Sequence, residues 1–237
     1  MADMATSVLA RLKNKAAESG RSYQLCLQLF CQEEFLRRLE KSKYANNLVL
    51  KGGLFIYSIT NFDSRVTVDV DFLLRKISNT PEQLKLVLEE IISCETGNDF
   101  TAPTVNTYSI ETTVAEKLDA ILNLMEFSSR MKDYYDIYYL ANKFNFDGAI
   151  LTEALKKTFA NRNHTFTVEQ FEQIMTYDAD DGMQKKWKAF IKKIHTKTDD
   201  FKIVLETMSA FLKEPFIAAV DDAEYIKHWE AQTGEWR

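Results

Sequence analysis

The run VTVDVDFLLR, which begins at Val66, constrains the fold more than any other stretch of the chain. Its apolar residues alternate, and a period of two belongs to a β-strand. On such a strand Val66, Val68, Val70 and Phe72 face one way, while Thr67, Asp69, Asp71 and Leu73 face the other. Two carboxylates then lie side by side on a strand that otherwise reads as core. Like charges a few ångströms apart raise each other's pKa unless a cation sits between them. Mg²⁺ (or Mn²⁺) answers that need, because it is a hard ion that takes one or two carboxylates plus substrate phosphates. The plainer reading is a strand with a polar side turned to solvent, and D-x-D alone does not decide between the two.

The surrounding sequence is read as α+β. Residues 6–18 pattern as a short helix stopped by Gly20, and Ser22 opens a longer one. NLVLKGG reads as a strand meeting a glycine pair, LFIYSIT as a helix, and TVNTYSI as another strand. Between them, residues 81–93 pattern as an amphipathic helix with Pro81 in its first turn. Thr113 and Glu116 have capping-box spacing, which predicts a helix starting there, followed by a second helix over SSRMKDYYDIYYLANKF. From about residue 146 the signals are nearly all helical. The spacing therefore predicts a small mixed sheet core with N-terminal helices over 1–145 and a helical C-terminal domain over 146–237.

Composition narrows the function classes. With a net charge of −5 and a pI near 5.4, the chain does not coat nucleic acid by bulk charge, although a local basic patch is compatible with it. Three cysteines without zinc spacing and three scattered histidines argue against a disulfide framework or zinc site. No apolar run reaches membrane-spanning length and the N-terminal stretch has no secretory h-region. These features predict a cytoplasmic protein with no membrane partner.

Further candidates flank the aspartate strand. Lys51, Gly52 and Gly53 close a strand at a helix start, where backbone N–H groups approach a phosphate; a plain tight turn is the commoner use of such a pair. Lys117 is placed in a helix first turn, where an exposed lysine is the simple reading. Asp133 and Asp136 lie one turn apart on the next helix. A short break near residues 127–128 predicts a helical hairpin. Lys117 lies about 15 Å of helix before that break and Asp136 about 12 Å after it, so the two share a height, with Asp133 lower.

These residues, in this order, resemble the AbiEii/AbiGii-type nucleotidyltransferase toxins of bacterial toxin–antitoxin and phage-defence systems. The segments that carry the likeness are FLRRLEKSKYANNLVLKGG, RVTVDVDFLL, SIETTVAEKLDAIL, SSRMKDYYDIYYLA and FLKEPFIAAV, which together span most of the chain. The resemblance implies a core similar to the DNA polymerase β superfamily. It gives Gly52 and Gly53 a phosphate-loop role and Asp69 and Asp71 a metal role. It makes Lys117 a phosphate-contacting lysine and Asp136 a later acidic residue, with Asp133 the fallback. The wider pattern often carries a hydroxyl residue at or just after the glycines. Here Gly53 is followed by Leu54, so the loop offers phosphate no hydroxyl while its backbone contacts stay available. Glu111 is the nearest candidate for a third metal carboxylate.

The expected activity is Mg²⁺-dependent transfer of NMP from an NTP to an acceptor, RNA such as a tRNA 3′ end or else a protein hydroxyl, in a toxin with a cognate antitoxin. The alternatives are a non-catalytic member that binds nucleotide or a partner, and a D-x-D glycosyltransferase using a nucleotide sugar. One stretch remains, KKWKAFIKKIHTK from Lys185. Trp187, Phe190, Ile191 and Ile194 form its apolar stripe, and Lys185, Lys188 and Lys192 lie off it, as a solvated face or a phosphate-tracking one.

Overall fold

The computed structural model describes residues 4–97, 102–194 and 198–237. The chain divides into two compact units, Met1–Tyr108 and Ser109–Arg237, each with its own core.

The first unit opens with α1 (Met4–Ser19), which ends at Gly20 in a left-handed conformation, φ +67°. In α2 (Tyr23–Lys41) the Ser22 hydroxyl accepts the Leu25 N–H at 3.2 Å, the expected N-cap. Then come β1 (Leu48–Lys51), α3 (Gly52–Ile59), β2 (Asp71–Leu74) and α4 (Pro81–Ser93), the last capped by Thr80 with Pro81 at its first position. β1 and β2 pair antiparallel from Leu48↔Leu74 to Lys51↔Asp71.

The aspartate strand is shorter than its alternation suggests. Its ladder begins only at Asp71, because the partner strand ends at Lys51 and turns into α3. Residues 65–70 run outside the ladder. The side chain of Gln32 holds them instead, its Nε2 donating to the Val68 carbonyl at 2.9 Å and to that of Thr67 at 3.4 Å. There the expected faces invert: Thr67 is buried and Val68 is exposed. From Asp69 onward they hold, with Asp69, Asp71 and Leu73 exposed and Val70, Phe72 and Leu74 half-buried. The strand expected in TVNTYSI reduces to one parallel bridge, Leu50↔Thr107, made by the Leu50 N–H to Asn106 O at 2.7 Å and the Tyr108 N–H to Leu50 O at 3.0 Å. It stops there because the chain enters a helix at Ile110.

The second unit is helical around α5 (Ile110–Leu124), a 3₁₀ turn over Met125–Phe127, and α6 (Met131–Lys143). Ser109, not Thr113, caps α5: its hydroxyl accepts the Thr112 N–H at 3.1 Å. Thr113 lies inside the helix and is buried. The chain continues through β3 (Phe146–Asp147), α7 (Gly148–Arg162), α8 (Val168–Ile174), α9 (Asp181–Ile194), α10 (Phe201–Val220), β4 (His228–Glu230) and β5 (Glu235–Trp236). α5 packs on α6 and α7, and α10 covers α6 and α7. Val114, Leu118, Ile121 and Leu122 of α5 are fully buried, each worth about 1.5–3 kcal/mol. The α5–α6 pair, which the sequence reading groups with the strands, therefore belongs to the helical unit.

The small antiparallel sheet β3–β4–β5 was not foreseen, since strands of two or three residues show no period. Trp229 anchors it, buried at 1% exposure with its indole N–H on the Ala141 carbonyl at 2.7 Å.

Candidate active site

Where β1 passes into α3, the backbone does something only glycine does cheaply. Gly52 takes φ +72°. A Cβ built on it would lie 2.2 Å from Oδ2 of Asp71. A Cβ on Gly53 would lie 2.9 Å from both Cβ and Oγ1 of Thr67. Each glycine is thus demanded by the close approach of the aspartate segment, a job the sequence alone does not reveal. The Asp71 carboxylate consequently sits against the start of α3. Lys51, the N-cap of α3, makes no side-chain cap hydrogen bond. No N-cap oxygen therefore serves the first-turn N–H groups of α3, which favour an anion through their orientation and dipole. The Lys51 ammonium lies 4.9 Å over the centre of the Tyr108 ring, within cation–π range.

Asp69 and Asp71 are both exposed. Among the described residues no three His, Cys, Asp or Glu side chains gather to hold a metal. The donor set therefore does not make a closed protein cage. Two hard oxygen donors beside an anion-favouring helix start do fit a Mg²⁺ whose remaining ligands come from water and substrate phosphates. Glu111, the candidate third carboxylate, lies in the first turn of α5, in the second unit, where a carboxylate favours the helix dipole.

The second unit carries the other candidates. α5 starts at Ile110, so Lys117 is two turns into the helix and not in its first turn. It is also buried, at 8% exposure, not a surface lysine. Its Nζ donates to Asp136 Oδ2 at 2.6 Å and to Asp133 Oδ1 at 3.0 Å. The shared height of Lys117 and Asp136 is confirmed, but Asp133 is not out of reach below them. It meets the same ammonium with one oxygen and the Arg130 guanidinium with the other. Asp133 and Asp136 are 0% and 1% exposed. Two buried carboxylates are tolerable here because the two cations are within hydrogen-bonding distance.

A further buried carboxylate escaped the sequence reading. Asp119 is 0% exposed. Its oxygens take the Arg162 Nη1 at 2.6 Å and the His164 Nδ1 at 2.8 Å, tying α5 to the end of α7. Glu116 also reaches Arg162, at 3.3 Å, in place of the capping role predicted for it. The available signal was an aspartate inside the apolar run AEKLDAIL, which a helix buried on several sides tolerates only with a partner.

The first unit thus holds the Asp71 carboxylate against the start of α3, and the second holds a buried lysine–aspartate cluster on a helical hairpin. The family model of the AbiEii nucleotidyl transferase toxin of type IV toxin–antitoxin systems matches residues 34–102 and 93–214. The chain belongs to that family of nucleotidyltransferase toxins. No curated protein and no solved structure gives a significant match. No described helix is long and apolar enough to cross a membrane.

Proposed function

We propose that this chain transfers the NMP part of an NTP to a hydroxyl of an RNA acceptor, such as a tRNA 3′ end, in a Mg²⁺-dependent reaction. The observation that carries the reading is the approach of Asp71 to the bare Cα of Gly52, which sets the Asp71 carboxylate at the start of α3. The first-turn N–H groups of α3 donate to phosphate oxygens, and Lys51 adds positive charge beside them. Leu54 offers no hydroxyl, so these contacts are main-chain ones. Asp69 and Asp71 would hold the divalent ion, which would supply charge neutralisation on the triphosphate and activation of the attacking oxygen. In the transfer the acceptor oxygen bonds to the α-phosphorus, the α–β anhydride bond breaks, pyrophosphate leaves and the hydroxyl proton passes to solvent. The family resemblance assigns Lys117 and Asp136 to the same reaction. A cognate antitoxin, a role in phage defence and a cytoplasmic setting complete the reading.

The test is purified protein with Mg²⁺, each α-labelled NTP in turn, and total cell RNA. Label in the RNA with one preferred NTP, lost on chelation, is the expected result. A second reading, a member that binds nucleotide without turnover, draws on Leu54. Metal-dependent NTP binding with no label in any macromolecule would establish it instead.

A further inference from the structure

We infer that α9 presents a phosphate-tracking face that holds the RNA acceptor, an inference resting on the RNA-acceptor reading above. The helix carries five lysines against one acidic residue, Asp181, in a chain whose net charge is −5. Met183 and Trp187 are buried beneath it. Lys185, Lys188, Lys192 and Lys193 are exposed on the other side. Lys185, Lys188 and Lys192 stand at i, i+3 and i+7, a ladder about 10 Å long.

Several exposed lysines on other helices of this protein have their charge balanced. Lys85, Lys157 and Lys202 each have a glutamate one turn away on their own helix, at 3.7, 3.0 and 3.9 Å. Arg38 has Glu34 at 2.9 Å. On α9 none of the four exposed lysines pairs with a carboxylate among the described residues. Adjacent unbalanced lysines repel, so a polyanion gains on binding there. The fifth lysine, Lys186, points inward and fixes the helix. Its ammonium donates to the carbonyls of Glu126 at 2.8 Å and Ser128 at 3.0 Å, in the turn between α5 and α6. Phe190 meets Tyr135, the neighbour of Asp136, at 5.9 Å between ring centres. The lysine ladder is therefore rigidly tied to the helix that carries Asp133 and Asp136. His195 and Lys197, the end of the basic stretch, lie outside the described residues.

An RNA strand fits this face better than a protein partner. Protein interfaces place apolar and aromatic side chains at their centre and are poor in lysine. No large apolar side chain of α9 is exposed. A polar, positive and unpaired surface is the character of a nucleic-acid interface.

The experiment compares wild type with the triple variant K185Q/K188Q/K192Q. It measures binding of a labelled single-stranded RNA oligonucleotide across a salt series, with NTP binding as a second readout. A control, K85Q/K157Q/K202Q, makes the same change of charge at paired lysines. The expected result is a log K against log salt slope shallower by about 2 in the first triple, at about 0.7 per contact, with the control slope and NTP binding unchanged. A wild-type slope in K185Q/K188Q/K192Q would overturn the face and leave the RNA reading standing. Label transfer to another acceptor without RNA binding by wild type would overturn both. An unchanged RNA slope with lost binding of polyglutamate would assign the face to an acidic protein instead.

Discussion

The Asp71 carboxylate occupies the place a Gly52 side chain would take: a Cβ on Gly52 would sit 2.2 Å from Asp71 Oδ2. Gly52→Ala therefore combines a left-handed backbone, costing about 1–2 kcal/mol, with displacement of that carboxylate. Gly20 supplies the control, since it has φ +67° with nothing within 4 Å of a built Cβ. Both alanine variants should lower the melting temperature, and only Gly52→Ala should abolish label transfer. Equal activity in the two variants would remove Asp71 from the site.

Asp69→Asn and Asp71→Asn each remove one of two exposed like charges. Stability without metal should hold or rise by up to about 0.5 kcal/mol, because repulsion is relieved at the surface. Label transfer should be lost in each, measured with the preferred NTP and Mg²⁺. Transfer at the wild-type rate in either variant rules out the metal assignment.

Lys117→Met leaves Asp133 and Asp136 buried without their shared ammonium. The expected cost is about 3–5 kcal/mol, read by denaturant unfolding. The two aspartates should separate by readout. Asp133 faces two cations, so Asp133→Asn should destabilise more; Asp136→Asn should reduce transfer per folded molecule more. If Asp133→Asn shows the larger loss of transfer, the acidic role belongs one turn earlier on α6.

Asp119→Ala should cost about 1.5–3 kcal/mol, the range for hydrogen bonds to a charged group. It stays below the Lys117 figure because Arg162 and His164 keep solvent contact, at 37% and 29% side-chain exposure. Activity per folded molecule, from kinetics corrected by a circular-dichroism unfolding curve, should equal wild type. A selective fall in kcat would give the Asp119–Arg162–His164 cluster a part in the reaction.

Much of the architecture is local and could be read from the chain. Ser22 and Thr80 mark helix starts by their hydroxyls, Pro81 by its fixed φ, and the apolar stripes of α4, α5 and α9 by their period. α5 shows how close alternatives compete: Ser109 and Thr113 both offer a cap, and burial of Thr113 gives the position to Ser109. The strand lengths were not legible. Asp69 and Asp71 alternate as one strand, yet only Asp71 has a partner, because pairing depends on where β1 ends. β3, β4 and β5 were invisible for the same reason, since they exist only as partners of one another.

Residue types and their order were determined by the sequence itself: paired carboxylates after a glycine pair, a lysine before two aspartates, a basic helix near the end. Those are properties of neighbours along the chain, which spacing and chirality govern. What each residue touches was decided by the tertiary structure. Gly52 and Gly53 are glycines because a segment 14 to 19 residues later in the chain lies against them, Asp71 on Gly52 and Thr67 on Gly53. Lys117 is a buried ion-pair partner and not a surface lysine because α6 folds back over α5, and Asp119 is tolerated inside because Arg162 and His164 arrive from the end of α7. Burial and ion pairing are set by elements distant in sequence, and no local pattern encodes the distance at which they meet.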